Sequence, residues 1–298
     1  MSSALTTNTL PKNVAIAGAT GLVGQALLVG LLKDDHVAKV IVIGRRQPQI
    51  PSSSKLSASQ LAKLKFVACE LVNLQHLPLN DVIHRAYCCL GTTIKKAGSQ
   101  TQFINVDKTA AIDFAQMILT ANQRLNATHI STQLHMITAH GATPNSKVFY
   151  NRIKGETEQA IAKLGFDQIH FYRPSLLLGK RHEARLLEDI GQRLSTYFIG
   201  MFIGPMRSIK PITAKQVASA MLSYSGGSRE ELARFEVSNC APSNATQPNI
   251  RLADTELANT ALTNATSTET KSMGNAAIKP VISIITNQQM HQLNSVKV

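Results

Sequence analysis

The chain of 298 residues has no tryptophan, and its aromatic content is only 5%. No basic motif is interleaved with aromatic rings on which bases could stack, so no nucleic-acid partner is expected. Acidic residues are also scarce, with 18 Asp and Glu against 31 Lys and Arg, and a formal charge of +13 calls for anionic company of another kind. Cys69, Cys88, Cys89 and Cys240 show no CxxC spacing and the nine histidines no HExxH or HxH, which argues against a disulfide framework and a metal centre. No apolar run approaches the roughly 20 residues of a membrane span. The opening residues lack the basic and apolar regions of a secretory signal, so the expectation is a soluble cytoplasmic protein with reduced core thiols. The hydrophobic share of 44% suffices for one large α/β core.

What is present begins at Asn13. A short apolar run breaks into Gly18-Ala19-Thr20-Gly21-Leu22-Val23-Gly24 and resumes with helical periodicity, which reads as strand, glycine turn and helix. Gly18 permits the turn, Gly21 lets backbone approach a diphosphate, and Gly24 lets the helix pack on its strand. The first N–H groups of that helix then face the phosphates. Residues 40–44, Val-Ile-Val-Ile-Gly, supply the next buried strand at the interval of a dinucleotide-binding βαβ unit. Where a carboxylate would bind the ribose 2'-hydroxyl, the chain has Arg45 and Arg46, suited to a 2'-phosphate. NADP(H) is therefore preferred and NAD(H) is the alternative, while the plainer reading of the two arginines is a solvated loop pair.

Strand and helix patterns continue to alternate, with strands expected over 65–69, 86–91, 134–138 and 168–173 and helices over 107–120, 150–164 and 214–224. The expected fold is α/β: a Rossmann doubly wound parallel sheet with helices on both faces and a small C-terminal substrate-side region. Residues 1–239 form the nucleotide-binding domain, with its substrate-side segment at about 175–212. Residues 195–212 are apolar but broken by Gly and Pro, which suits a pocket wall or lid, or a patch facing a partner or membrane. The cations from Lys180 to Lys210 leave an acidic substrate or a protein partner open. Residues 240–279, rich in Asn, Thr, Ser and Ala, read as a flexible insertion. Residues 280–298 return as a strand and short helix, the strand pairing with 234–237.

Tyr150 and Lys154 form a YxxxK pair whose spacing puts both side chains on one helix face. A fixed ammonium beside a phenol favours the phenolate, so the phenol can act as general acid toward a carbonyl or base toward an alcohol. Thr138 follows the fifth strand, Leu90, Gly91 and Thr92 follow the fourth, Arg173 and Pro174 close the sixth, and Asn105 opens the next helix. All fall where open parallel sheets collect ligands.

Together, Cys88-Cys89-Leu90-Gly91-Thr92-Thr93 with Lys96-Ala97-Gly98, residues 149–156 (FYNRIKGE) and Tyr172-Arg173-Pro174 resemble the short-chain dehydrogenase/reductase superfamily in its extended or atypical branch. More narrowly they are similar to the Tat-interacting-protein-like oxidoreductases and their bacterial relatives, over about residues 12 to 224. The resemblance implies Tyr150 as catalytic acid, Lys154 as its cationic and ribose-binding partner, Thr138 as carbonyl-polarising hydroxyl and Asn105 as helper. It further implies that Gly18, Thr20, Gly21, Leu22, Val23 and Gly24 hold the diphosphate, and Arg45 and Arg46 the 2'-phosphate. Glu70 would lie near adenine, Leu90, Gly91 and Thr92 at the nicotinamide-side ribose, and Arg173, Pro174, Ser175 and Leu176 beside the nicotinamide. Thr138 departs from the more usual serine, and His140 adds an ionisable neighbour that is more often a plain loop residue. The expected activity is NADPH-dependent reduction of a small carbonyl substrate; the rival is a non-catalytic NAD(P)H sensor or regulatory scaffold.

Overall fold

The computed structural model describes residues 11–127, 129–178, 211–226 and 280–295. The first half runs β1 (Lys12–Ala17), α1 (Leu22–Lys33), β2 (Val37–Gly44), α2 (Ala58–Ala62), β3 (Leu64–Ala68), β4 (Arg85–Cys88), α3 (Ile94–Ala97), α4 (Gln100–Ile104) and α5 (Ala110–Arg124). The second half runs β5 (Gln133–Ile137), α6 (Phe149–Ile161), β6 (Gln168–Arg173), β7 (Leu177–Leu178), β8 (Ile212–Thr213), α7 (Ala214–Gly226), β9 (Val281–Thr286) and α8 (Asn287–Ser295).

Seven parallel strands form one sheet in the order β3-β2-β1-β4-β5-β6-β9. Strand order reverses between β1 and β4, which opens a crevice at their C-terminal ends. Strands buried on both faces must be apolar at successive positions, and the run from Val40 to Ile43 is. Alternation then assigns each residue a face. Ala15, Ala17, Ile41, Ile43, Cys88, Met136 and Phe171 join Phe114, Ala115 and Ile118 of α5 in one apolar cluster. The intervening positions, Tyr87, His135, His170 and Tyr172, carry rings on the opposite face, where Tyr224 of α7 meets His170 and Tyr172.

Those rings form a stacked row across three strands: Tyr87 to His135 at 4.8 Å and His135 to His170 at 4.7 Å between centroids. Strand register puts the three directly opposite one another. His135 Nδ1 and the Tyr172 hydroxyl are hydrogen-bonded at 3.0 Å. Burial pulls His170 down to about 4, and burial, with His170 and Arg85 adding, holds His135 well below the ordinary histidine value.

The turn after β1 shows why glycine is needed there. Gly18 has φ +82°, and a Cβ on it would stand 2.4 Å from the Cys89 carbonyl oxygen at the end of β4. A Cβ on Gly24 would lie 2.2 Å from the Gly18 oxygen, so α1 can approach its own strand only without side chains at both positions.

One expectation about chain organisation changes. The helix expected to open near Asn105 already begins as α4, capped by the Ser99 side chain, which accepts from the Gln102 N–H at 3.1 Å. It continues through a π-helical turn, Asn105–Thr109, into α5, so Asn105 sits exposed within a continuous helical run. The cap wins because Ser99 satisfies an end N–H that would otherwise go unpaired. The C-terminal strand β9 pairs with β6 in parallel; its expected partner segment 234–237 lies outside the described residues. The insertion expected at 240–279 and most of the substrate-side segment, 179–210, also lie outside them. The ends of that segment are joined by the β7–β8 pairing, Leu177 opposite Ile212.

Candidate functional site

Gly21 stands at the N-cap of helix α1, so no side chain caps the helix, and its first turn has no acidic residue. Thr20, Gly21 and Leu22 are exposed, so the start of a twelve-residue helix, its positive end, opens to solvent at the β1–β4 switch point. A Cβ on Gly21 would meet the Gly18 oxygen at 3.3 Å, and removing it keeps this cradle open. A diphosphate fits such a donor set.

Arg45 and Arg46 lie just past the C-terminal end of β2 and are both exposed. Their loop is tied back to α1, where Gln25 Nε2 donates to the Gln49 carbonyl at 3.1 Å. Glu70 is exposed beyond the end of neighbouring β3, and the Cys69 N–H donates to the Gly44 carbonyl at 3.1 Å. The two arginines and the glutamate thus share one rim.

The opposite side of the crevice is built on α6. Tyr150 is half-buried, its ring 5.6 Å from that of Phe103 in α4. One turn further, Lys154 is sealed from solvent: its Nζ lies 2.6 Å from Asp107 Oδ1, with the side chains 3% and 1% exposed. Burial pulls the Lys154 ammonium down, but the Asp107 carboxylate, helped by Tyr150 and Cys88, outweighs it and leaves Lys154 above the ordinary lysine value. Asp107 Oδ2 accepts from the Thr92 N–H at 2.8 Å, in the loop that follows β4. Below this pair burial pushes the Cys88 thiol up to about 11, so it is a neutral floor.

The π-helical turn and α6 are joined at a further point. Lys108 Nζ donates to Glu156 Oε2 at 2.6 Å, while the Thr157 hydroxyl donates to the Ile153 carbonyl of its own helix at 2.7 Å and lies 3.4 Å from the Asp107 carbonyl. On the next turn of α6, Glu158 accepts from Arg173 Nε at 3.0 Å and also from its Nη2. Arg173 is therefore engaged by a carboxylate at the end of β6. Gly155 packs on the backbone of Thr143 and Pro144, which brings α6 against the loop after β5.

Thr138 stands at the head of that loop, 3% exposed. Its N–H donates to the Tyr172 carbonyl at 2.8 Å, and its hydroxyl donates to the same oxygen at 3.3 Å. His140 is exposed, and its N–H donates to the Pro174 carbonyl at 2.9 Å. Ser175 donates its N–H to Asn287 Oδ1 at 3.3 Å, and Leu176 is exposed. The structure thus gathers Tyr150, Lys154 and the Leu90–Thr92 loop around the helical run 100–124, with Thr138 and Pro174 on the adjoining strand ends.

Sequence reasoning missed Asp107 and Glu158. Glu158 continues the four-residue spacing from Tyr150 through Lys154, which marks it as on the same face. Asp107 interrupts a helix face otherwise made of Phe103, Ala110, Ala111 and Phe114, an acid among buried apolar neighbours.

No family model matches the sequence. Protein fmp52, mitochondrial, of Emericella nidulans is 31% identical over 183 residues, spanning 60% of this chain and 73% of that protein. Protein HTATIP2 of Rattus norvegicus is 28% identical over 211 residues, spanning 71% of this chain and 80% of its own. Among solved structures, ElxO with NADP bound superposes with a TM-score of 0.51 at 15% identity, covering 74% of this chain and 94% of that one. A 3-oxoacyl-acyl-carrier-protein reductase from Brucella melitensis in complex with NAD gives 0.51 at 14%, covering 74% and 92%. Likeness at these identities concerns the fold.

The cytoplasmic expectation does not stand, because the Fmp52 relatives of Emericella nidulans, Aspergillus niger, Aspergillus fumigatus and Candida albicans are all named mitochondrial. The pattern of a secretory signal says nothing about addresses written in other chemistry. Among the described residues no helix is long and apolar enough to cross a membrane.

Proposed function

The chain belongs to the atypical branch of the short-chain dehydrogenase/reductase superfamily that includes HTATIP2 and Fmp52, and from that premise we propose that it is an NADPH-dependent reductase of a small carbonyl compound. The observation that carries the reading is the uncapped glycine turn at the β1–β4 switch point, with the Tyr150 helix and its buried lysine packed along the same edge.

In this reading Gly18, Thr20, Gly21, Leu22, Val23 and Gly24 form the cradle of the diphosphate, with the first backbone N–H groups of α1 as donors and the Gly21 N–H held by the Gly18 carbonyl at 3.0 Å. Arg45 and Arg46, exposed and with no carboxylate partner among the described residues, take the 2'-phosphate, and Glu70 on the same rim borders the adenine. Leu90, Gly91, Thr92 and Lys154 hold the nicotinamide-side ribose, and the backbone from Pro174 to Leu176 walls the ring. The bound dinucleotide supplies the hydride. Tyr150 gives its hydroxyl proton to the carbonyl oxygen, and the Lys154 ammonium stabilises the phenolate left behind. Thr138 turns its hydroxyl from the Tyr172 carbonyl to the substrate oxygen, an exchange its 3.3 Å bond makes inexpensive.

Tyr150→Phe separates chemistry from binding. NADPH titration of the variant should match the parent, while turnover of an aldehyde and ketone panel falls by about 100-fold or more, the scale of a lost general acid. Parent-rate reduction by the variant would refute the mechanism.

One observation favours the rival, a nucleotide-binding sensor or scaffold. The Thr138 hydroxyl already has an acceptor in the sheet and Asn105 faces solvent, so the accessory groups of catalysis are turned elsewhere. Tight NADPH binding by the parent without consumption across the panel would favour that reading.

A further inference from the structure

Asp107 is the acidic group most completely removed from solvent among the described residues, at 1% exposure. A carboxylate buried this deeply is retained only when its charge and its lone pairs are matched. The Lys154 ammonium, 2.6 Å from Oδ1, matches the charge, and the Thr92 N–H donates to Oδ2 at 2.8 Å. The π-helical turn Asn105–Thr109 carries it, with the Ala110 N–H donating to the Asn105 carbonyl five residues back. Such turns widen a helix locally at some cost in hydrogen-bond geometry, and proteins keep them mostly where a side chain must be aimed. Lys108 then clamps this turn to α6 through Glu156.

We propose that Asp107 is a positioning residue that holds the Lys154 ammonium and the Leu90–Thr92 loop as one unit, so that both meet the nicotinamide-side ribose together. This rests on the nucleotide-binding reading above and adds a residue to it. Asp107 acts through Lys154 and Thr92 and touches neither cofactor nor substrate. Tyr150 on the same helix and Cys88 beneath are the other titratable groups that bear on Lys154, and burial keeps the Cys88 thiol neutral.

The substitution Asp107→Asn keeps an oxygen for the Thr92 N–H and removes only the charge. A buried ammonium without its counter-charge loses its proton well below the usual lysine range. In the nucleotide-free intact chain, NMR of the Lys154 ε-group should therefore show titration shifted strongly downward in Asp107→Asn and restored by Asp107→Glu. NADPH affinity at about pH 8 should fall about 10- to 100-fold, the scale of one charge-assisted hydrogen bond, and recover as the pH is lowered and Lys154 regains its proton. A structural role alone would lower affinity without that recovery. Wild-type affinity in Asp107→Asn across the pH range, or an unchanged Lys154 titration, overturns the proposal. If Asp107→Asn does not fold, the parent chain decides: Lys154 titrating above the ordinary lysine value supports the pair, and titrating below it overturns the pair. A parent chain that binds no NADPH while Lys154 titrates high defeats the nucleotide reading and the ribose role together, and leaves the ion pair itself intact.

Discussion

The two ends of the sheet treat charge in opposite ways. At the C-terminal end, Lys154 and Asp107 face each other with water excluded. At the N-terminal end, Asp81 is shared by Lys39 at 2.5 Å and Lys65 at 2.9 Å, with those lysine side chains 40% and 49% exposed. The Lys39 hydrogen bond, aided by Lys65, holds the Asp81 carboxyl below its usual range against a smaller opposing effect of burial. Comparable distances thus carry different weight. An exposed pair exchanges hydration for contact at nearly even terms, whereas breaking a buried pair strands a charge in a medium that cannot solvate it.

The comparison is broken most severely from the buried side. Lys154→Met leaves the Asp107 carboxylate without its cation, and urea unfolding at neutral pH should show a loss of about 3–5 kcal/mol. A loss below about 1 kcal/mol would mean that water or another cation reaches Asp107.

A third buried polar group sharpens the contrast, because His135 and His170 are held in the interior neutral. In unfolded chains histidine takes up its proton near 6.5, whereas folded His170 resists until about 4. The unfolded state therefore binds more protons between those values. Stability is complete above pH 6.5 and falls as the pH drops toward 4, by about 3 kcal/mol from His170 alone. His135 contributes in the same direction. His170→Phe keeps a ring in the stack, and denaturation at a series of pH values should then trace a visibly flatter acid limb.

The smallest effect is expected at the exposed end. Asp81→Asn should change stability by no more than about 1 kcal/mol, and the difference should shrink as salt is added. Thermal unfolding at low and high ionic strength measures it; an effect as large as that of Lys154→Met would erase the distinction between the two ends.

Much of this protein follows from local pattern. The run from Val40 to Gly44 must be a strand buried on both faces, and the Gly18–Gly24 spacing must turn a strand into a helix, because glycine suits φ +82° at Gly18 and leaves room at Gly24, where a Cβ would stand 2.2 Å from the Gly18 oxygen. Strand β6 occupies the residues its alternation marked, 168–173, and the YxxxK spacing put Tyr150 and Lys154 on one face of α6. These signals are legible because each depends on neighbours within a few residues.

What tertiary structure alone decided are the partners. Lys154 and Asp107 are far apart in sequence, and nothing in either segment says that the Lys154 ammonium meets a carboxylate from a widened helical turn. Arg173 is bound to Glu158, Thr138 donates to a neighbouring strand, and Asn105 is carried into a helical run by the Ser99 cap. Backbone preference is written locally, but the electrostatic environment of a side chain is set by whatever the fold packs against it, and that is settled only when distant segments exclude water together.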